Sequence, residues 1–409
     1  MPSPAMPASA LPSDVLAVDT LHRGHLRIAI VTESFLPTVN GVSNSVARVT
    51  EQLVIGGHEV MIIAPGKGPE RFGDSKVLRT PAVPLPGYQS IPVGMPTTTT
   101  TAELEAFEPD VVHVGGPVAL GAWGLASARR MQVPAVALYQ TDFPRFARHY
   151  KVAAAEGLVW RWLRRIHSSA QLTLAPSRAA AWDLRRHGIP RVALWGRGVD
   201  VQRFTPANRD ERLHRDLAAG RGALIGYIGR LAPEKNVALL KGLSAVAGAR
   251  LVVVGDGPDR PSLQQQMPDA VFTGYKGGAE LARLFATLDV FVHTGAHETF
   301  CQTVQESLAS GVPVVAPAIG GPLDLVRHGH NGVLYRPEDK RALRQAVRRL
   351  VADPQQRQIM AANARPGVVD RTWAALTTEL VAYYRYAIYH RAMIALPRTD
   401  RPAELSAVG

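Results

Sequence analysis

Two carboxylates, Glu298 and Glu306, bracket the seven residues Thr299-Phe300-Cys301-Gln302-Thr303-Val304-Gln305. The chain then runs through Ser307-Leu308-Ala309-Ser310 and a Gly311-Val312-Pro313 turn into the apolar stretch Val314-Val315-Ala316. Upstream, Leu288-Asp289-Val290-Phe291-Val292-His293 reads as a strand, so Glu298 falls on the loop leaving its carboxyl end. A helix beginning near Cys301 would carry Glu306 in its second turn. It would also leave the amides of Phe300, Cys301 and Gln302 unpaired at its N-terminus, where free N–H groups and the helix dipole hold anions. Carboxylates on either side can accept hydroxyl hydrogen bonds. Such an arrangement suits a phosphate with sugars on both sides, the shape of a nucleotide sugar.

A second chemical segment, Gly229-Arg230-Leu231-Ala232-Pro233-Glu234-Lys235-Asn236, follows the apolar run Ala223–Ile228. Two cations on one strand–helix loop can clamp a diphosphate, Arg230 bidentately and Lys235 as a point charge. The alternative is a solvated loop whose ion pair includes Glu234. In the first half, Thr32 to Val42 forms a loop whose Asn40-Gly41 precedes a helix, where a glycine lets a ligand approach the backbone. An ordinary strand–helix loop is the competing reading there. The absence of Gly-x-Gly-x-x-Gly weighs against a dinucleotide-binding dehydrogenase.

Strand-like apolar runs alternate with helical stretches, which predicts α/β architecture with parallel sheets. The expected strands are 27–32, 59–64, 110–114, 135–139, 171–175 and 191–195 in the first half. In the second they are 223–228, 250–254, 270–273, 289–293 and 313–316. Helices are expected over 42–55, 177–187, 237–247, 279–286, 340–352 and 372–394. These make two Rossmann-like doubly wound domains facing a cleft, with ligands beyond the carboxyl ends of the strands. The expected division is a disordered tail over 1–23, a first domain over 24–198 and a second over 199–371. A helix over 372–395 returns to the first domain, and 396–409 forms another tail.

At 409 residues the chain is long enough for two cores. Its formal charge is +12, and only 7 of the 46 basic residues are Lys. An Arg-, Ala-, Pro- and Gly-rich coding bias would explain that balance as well as anionic partners would. A nucleic-acid binder would cluster its basic residues with aromatics on one face, whereas these arginines scatter. The single Cys301 permits no intramolecular disulfide. Residues 1–22 lack the basic start and apolar core of a signal peptide, and no run reaches the roughly 18–20 apolar residues of a transmembrane helix. The expected location is the cytoplasm, with peripheral contact to the inner face of the plasma membrane. Leu158 to His167, mixing Trp, Leu and Arg, could lie on an anionic membrane or serve as an ordinary domain helix.

Gly229 to Asn236, Val254-Gly255-Asp256-Gly257-Pro258, Gly274-Tyr275 and the Glu298–Glu306 segment with its Ser307–Ala316 tail occur in that order. Together they resemble the retaining nucleotide-sugar glycosyltransferases of GT-B fold, family 4-like, over about residues 25–395. Glu33 to Ser43, Leu85-Pro86-Gly87-Tyr88, Tyr139-Gln140-Thr141-Asp142 and Trp195 to Asp200 resemble one branch of them. That branch holds actinobacterial GDP-mannose-dependent α-mannosyltransferases and plant sulfoquinovosyl-diacylglycerol synthases.

The resemblance implies that Arg230 and Lys235 bind the donor diphosphate and that Glu298 holds sugar hydroxyls, these three forming the catalytic set. Donor or substrate contacts would come from Asn40, Gly41, Gln140, Asp142, Arg197, Tyr275, Lys276, Phe300, Cys301, Gln302, Thr303 and Glu306, the last on the ribose. Many relatives carry His where Gln140 stands, and Gln cannot act as a general base. Asp142 could instead cap a following helix, and Arg197 could make an inter-domain ion pair. No Asp-x-Asp occurs, so no bound metal and no cofactor are expected. Cys301 is expected to pack at the helix start, where the dipole would lower its pKa. His149, His293 and His297 lack metal-ligand spacing. The expected activity is transfer of a hexose, mannose from GDP-mannose, to a lipid-linked or glycolipid acceptor. A UDP-sugar-dependent glycolipid synthase is the alternative, followed by a nucleotide-sugar epimerase.

Overall fold

A computed structural model of the chain describes residues 12–21, 24–85, 88–142, 156–296 and 298–395. Sixteen strands and fourteen helices of α type are found among these residues. In the first half they run α1 (Ser13–Leu21), β1 (Arg27–Val31), α2 (Gly41–Ile55), β2 (Glu59–Pro65), β3 (Arg71–Phe72), β4 (Ser75–Thr80), β5 (Ala82–Leu85) and β6 (Tyr88–Gly94). Then come α3 (Thr98–Ala106), β7 (Val111–Val114), α4 (Leu120–Arg130), β8 (Ala135–Leu138), α5 (Glu156–His167), β9 (Leu172–Ala175), α6 (Arg178–Arg186) and β10 (Val192–Leu194). The second half holds α7 (Glu211–Ala218), β11 (Ala223–Ile228), β12 (Ala249–Val254), α8 (Arg260–Gln266), β13 (Val271–Gly274), α9 (Gly278–Thr287) and β14 (Val290–Val292). It continues with α10 (Gln302–Ala309), β15 (Val314–Pro317), α11 (Pro322–Leu325), β16 (Gly332–Tyr335), α12 (Lys340–Ala352), α13 (Pro354–Ala364) and α14 (Trp373–Ala395).

The strands assemble as β10-β9-β8-β7-β1-β2-β4-β3 and β13-β12-β11-β14-β15-β16, with β5-β6 as a separate hairpin. Every pairing in the second sheet is parallel, and in the first only β3 runs against its neighbour. Parallel strands are covered on both faces by crossover helices, which is why they read as unbroken apolar runs. Ala29, Ile30, Val252, Val253, Val314 and Val315 are accordingly inaccessible. In each sheet the strand order reverses beside the first strand, between β1 and β7 and between β11 and β14. The connections leaving β1, β11 and β14 carry Asn40 with the first residue of α2, Gly41, then Lys235 and Glu298, so the chemical residues lie where doubly wound sheets bind ligands.

The two halves meet at a double crossing. Val199 N–H donates to the Arg371 carbonyl at 2.8 Å. A Cβ on Gly198 would lie 2.5 Å from the backbone of Trp373, so only glycine fits there. Past this crossing α14 returns to the first sheet, burying Leu376, Leu380, Tyr383, Tyr384 and Ala387 in the same core as Ile28, Val111 and Val136. Tyr384 Oη and His113 Nδ1 are hydrogen-bonded there at 2.5 Å.

Two expectations are corrected. The tail expected over 1–23 contains α1, whose Val15 and Val18 are buried, and α1 packs on α14. Val237–Ala247 is not an α-helix: a left-handed Asn236 (φ 50°) introduces 3-10 turns over Val237–Gly242. The strands β3 to β6 and β16 escaped sequence reading. Residues 1–11, 396–409, Pro86, Gly87, His149 and His297, all of which figured in the expectations, lie outside the described residues.

Candidate active site

Lys235 and Glu298 meet across the β11/β14 switch point: the ammonium donates to Glu298 Oε1. Their loops are braced by backbone. Leu231 N–H donates to the Asp256 carbonyl at 2.9 Å, and Thr294 Oγ1 donates to the Lys235 carbonyl at 2.6 Å. A Cβ on Gly257 would stand 2.2 Å from the Leu231 carbonyl. The Gly-Asp-Gly motif thus brings two turns into backbone contact. On the other side Gly321 N–H donates to the Glu298 carbonyl at 3.2 Å, and a Cβ on Gly321 would overlap the Phe300 carbonyl. Sequence reading missed this Gly320-Gly321 brace, for which a glycine pair at the end of a strand loop was the available signal.

Burial alone would raise the Glu298 carboxyl, but Lys235, His293 and Arg197 overcome it and hold the group at about 2. Lys235 is pushed the opposite way: burial would lower it, and the Glu298 charge raises it above the ordinary lysine value. Each partner keeps the other charged. Burial lowers His293, whose ring nitrogen lies 3.5 Å from Cys301 Sγ, to about 4 and leaves it neutral. Cys301 reverses the sequence expectation, because burial and then the Glu298 charge raise its thiol well above normal. It caps α10 in a left-handed conformation, φ 84°.

Phe300 and Cys301 bury their side chains in the second core, leaving only their backbone for a ligand. Among the described residues the N–H groups of Phe300, Cys301 and Gln302 donate to no backbone carbonyl. Gln302 Nε2 donates to the Gly198 carbonyl at 3.0 Å, and Thr303 lies partly exposed in the first turn. Glu306 follows in the second turn, where burial raises its carboxyl to about 8 against the opposing hydrogen bond of Gln302 and charge of Arg203.

The first half contributes a cluster that reaches this site. Arg197 donates to the Gly41 carbonyl and to Gln140 Oε1, both at 3.1 Å. Thr299 Oγ1, beside Glu298, donates to the Gln140 carbonyl at 3.0 Å and so ties the two halves together. Asn40 is engaged as the N-cap of α2, accepting from Val42 and Ser43 N–H and donating to Ser34. Glu33 likewise holds the start of α4 through Val118 and Gly121 N–H. Tyr139 Oη donates to Asp142 at 3.3 Å; the helix that Asp142 was expected to cap lies outside the described residues. The inter-domain ion pair considered for Arg197 is absent among the described residues, which supply neutral acceptors instead.

Other expected residues make contacts of their own. Arg230 is exposed and faces Glu234 at 3.7 Å. Tyr275 is exposed, and Lys276 pairs with Glu280 at 2.5 Å at the start of α9. No group of three His, Cys, Asp or Glu with metal-site geometry occurs among the described residues.

Residues 39–203 match the family described as Glycosyltransferase Family 4, and residues 209–366 match Glycosyl transferases group 1. A GDP-mannose-dependent alpha-mannosyltransferase of Mycobacterium tuberculosis is 49% identical over 88% of this chain and 96% of its own. The chain belongs to glycosyltransferase family 4. The family includes more distant relatives such as the Arabidopsis thaliana sulfoquinovosyl transferase SQD2, 32% identical over 87% of this chain and 72% of its own. The GT-B fold is shared with solved structures. Sucrose-phosphate synthase from Thermosynechococcus elongatus superposes with a TM-score of 0.74 at 20% identity, over 90% of this chain and 100% of its own. Anabaena HepE in complex with UDP gives 0.72 at 20% identity, over 88% and 99%. As a family 4 enzyme, this chain is a glycosyltransferase.

Proposed function

We propose that the enzyme transfers a mannosyl group from GDP-mannose, with retention, to a lipid-linked or glycolipid acceptor. The observation that carries this reading is the Lys235–Glu298 pair at the switch point, ahead of the α10 amides, in a chain so similar to a GDP-mannose-dependent relative. Lys235 and Arg230 neutralise charge growing on the departing diphosphate, and the amides of Phe300 to Gln302 bind a phosphate oxygen. Glu298, held ionised, accepts hydroxyl hydrogen bonds from the sugar, and Glu306 accepts them from the ribose.

Glu298 is engaged by Lys235 and is no free nucleophile. Attack therefore comes from the acceptor hydroxyl on the face the diphosphate leaves. The bond from the anomeric carbon to phosphate breaks, the bond to the acceptor oxygen forms, and the hydroxyl proton passes to the leaving phosphate. Gln140 takes no proton. These cations supply the charge that a divalent metal could otherwise bring, so activity should survive a chelator.

The acceptor class brings the enzyme to a membrane. On α5, Leu158 and Trp162 are exposed beside Arg161, Arg164 and Arg165. On α6, Trp182 is exposed with Arg186 stacked 4.9 Å from its ring. Aromatics interleaved with arginines suit an anionic bilayer face. No helix among the described residues is long and apolar enough to cross a membrane. A cytoplasmic enzyme resting on the inner leaflet accommodates these features.

The test is calorimetric binding and turnover of GDP-mannose and UDP-hexoses by the purified full chain, with and without a membrane lipid extract. Binding and transfer from GDP-mannose support the reading. A chain that uses only UDP-sugars, or none of them, defeats it.

A further inference from the structure

Arg197 is only 8% exposed, yet among the described residues no carboxylate stands within ion-pair distance of its guanidinium. Its two terminal nitrogens donate to neutral oxygens, those of Gly41 and Gln140. Burial pulls it down to about 10, still charged near neutrality. Glu298 attracts it, but that carboxylate is already engaged by Lys235. Lys235 and Glu298 cancel, and Arg197 is left over. A buried cation without a counter-ion is costly unless a ligand supplies one.

Gln140 points to the same conclusion. Its Oε1 accepts from Arg197, which fixes the amide so that Nε2 is the opposite atom. That Nε2 is buried and, among the described residues, has no hydrogen-bond partner. Leftover positive charge and a leftover N–H donor thus occupy one cluster at the cleft, short of acceptor oxygens. The guanidinium keeps donors beyond the two engaged, in a planar fork matched to carboxylate and phosphate.

We propose that Arg197, oriented by Gln140 and the Gly41 carbonyl, binds an oxyanion on a substrate in the cleft. The oxyanion is a phosphate of the donor or an acidic group on the acceptor's head sugar. The proposal rests on the nucleotide-sugar reading above and extends it to a residue that family 4 motifs in this chain's second half do not contain.

Three variants of the full chain test it: Arg197→Gln, Arg197→Lys and Gln140→Glu. One arm measures Kd for GDP and GDP-mannose. The other compares transfer to two glycolipids that differ only in a head-sugar carboxylate. Arg197→Gln should raise the donor Kd, or the KM for the acidic acceptor relative to the neutral one, by ~10- to 100-fold, as loss of a charge-assisted hydrogen bond does. A donor effect assigns the phosphate, and an acceptor effect assigns the head-sugar acid. Arg197→Lys should fall between, since it keeps the charge and loses the fork.

Gln140→Glu is the sharper probe, because it places an internal carboxylate against Arg197. It should raise the melting temperature while weakening whichever oxyanion Arg197 holds. If Arg197 only holds the fold, Gln140→Glu raises the melting temperature and leaves binding alone. That result overturns the proposal, even where the Arg197 variants fail to fold. So do folded variants whose donor Kd and acceptor discrimination stay within ~3-fold of wild type. A wild type that neither binds nor uses GDP-mannose defeats the earlier reading instead.

Discussion

Glu298 and Glu306 are the same residue type at two ends of one short segment, and the protein treats them oppositely. Glu298 stands on a loop against Lys235 and is driven to about 2. Glu306 stands in the second turn of α10, where burial lifts it to about 8. One end is charged in the free enzyme and the other is protonated at neutrality. The difference teaches that the spacing places two carboxylates at the ends of one segment, while neighbours decide which end carries charge. On the proposed reading, a sugar hydroxyl would meet a carboxylate already ionised and ion-paired, whereas a ribose hydroxyl would meet a group that can donate as well as accept.

The largest effect that could break this comparison is at the charged end. Lys235→Ala should cut kcat by ~100- to 1000-fold or more, the usual loss when a preorganised charge stabilising a leaving group is removed. It should change donor Kd far less. Glu306→Ala should do the reverse, raising donor Kd by ~10- to 100-fold with a smaller change in kcat. Equal, mild effects of both in steady-state kinetics and calorimetry would erase the distinction between the ends.

A subtler test reads the two pKa directions through stability. Glu306 is raised in the folded state, so it binds more protons there than when unfolded. Its stabilisation is full below the ordinary glutamate value of 4.5 and is lost as pH rises through about 8. Glu306→Gln should therefore gain melting temperature over wild type progressively between those limits. Glu298 has the opposite sign, its contribution being lost as pH falls from 4.5 toward about 2. A Glu306→Gln profile parallel to wild type in a pH series of scans would sink the assignment.

The smallest expected effect lies where the halves touch. Asp324 on α11 accepts from Arg178 N–H at 2.7 Å, capping α6 from the other half. Asp324→Ala should cost ~0.5–2 kcal/mol, the range for a lost cap, visible as a modest drop in thermal midpoint with donor Kd unchanged.

The parallel strands were legible because burial on both faces leaves an unmistakable apolar run, and Lys235 and Glu298 because each follows such a run. The 237–247 segment misled because its apolar spacing is helical while Asn236 turns left-handed just ahead of it. The β5–β6 hairpin was hidden by its prolines, which count against strands in a central sheet but are tolerated in a separate hairpin. Contacts such as Arg197 with Gln140 join residues 57 apart in the chain. Local pattern carries no trace of them. The glutamates' opposite protonation was invisible for the same reason: it is a property of what folding packs around them.

The return of α14 to the first sheet has a consequence for the order of assembly. Residues 24–194 supply every strand of that sheet, but part of its core arrives only with Leu376 to Ala387. During synthesis the first half must wait, its apolar face uncovered, while the whole second half is made and emerges. The second sheet, complete by β16, can close before the first is finished. A chain truncated after residue 370 would therefore present a finished later half and an unsealed earlier one, inverting the usual N-terminal-first sequence.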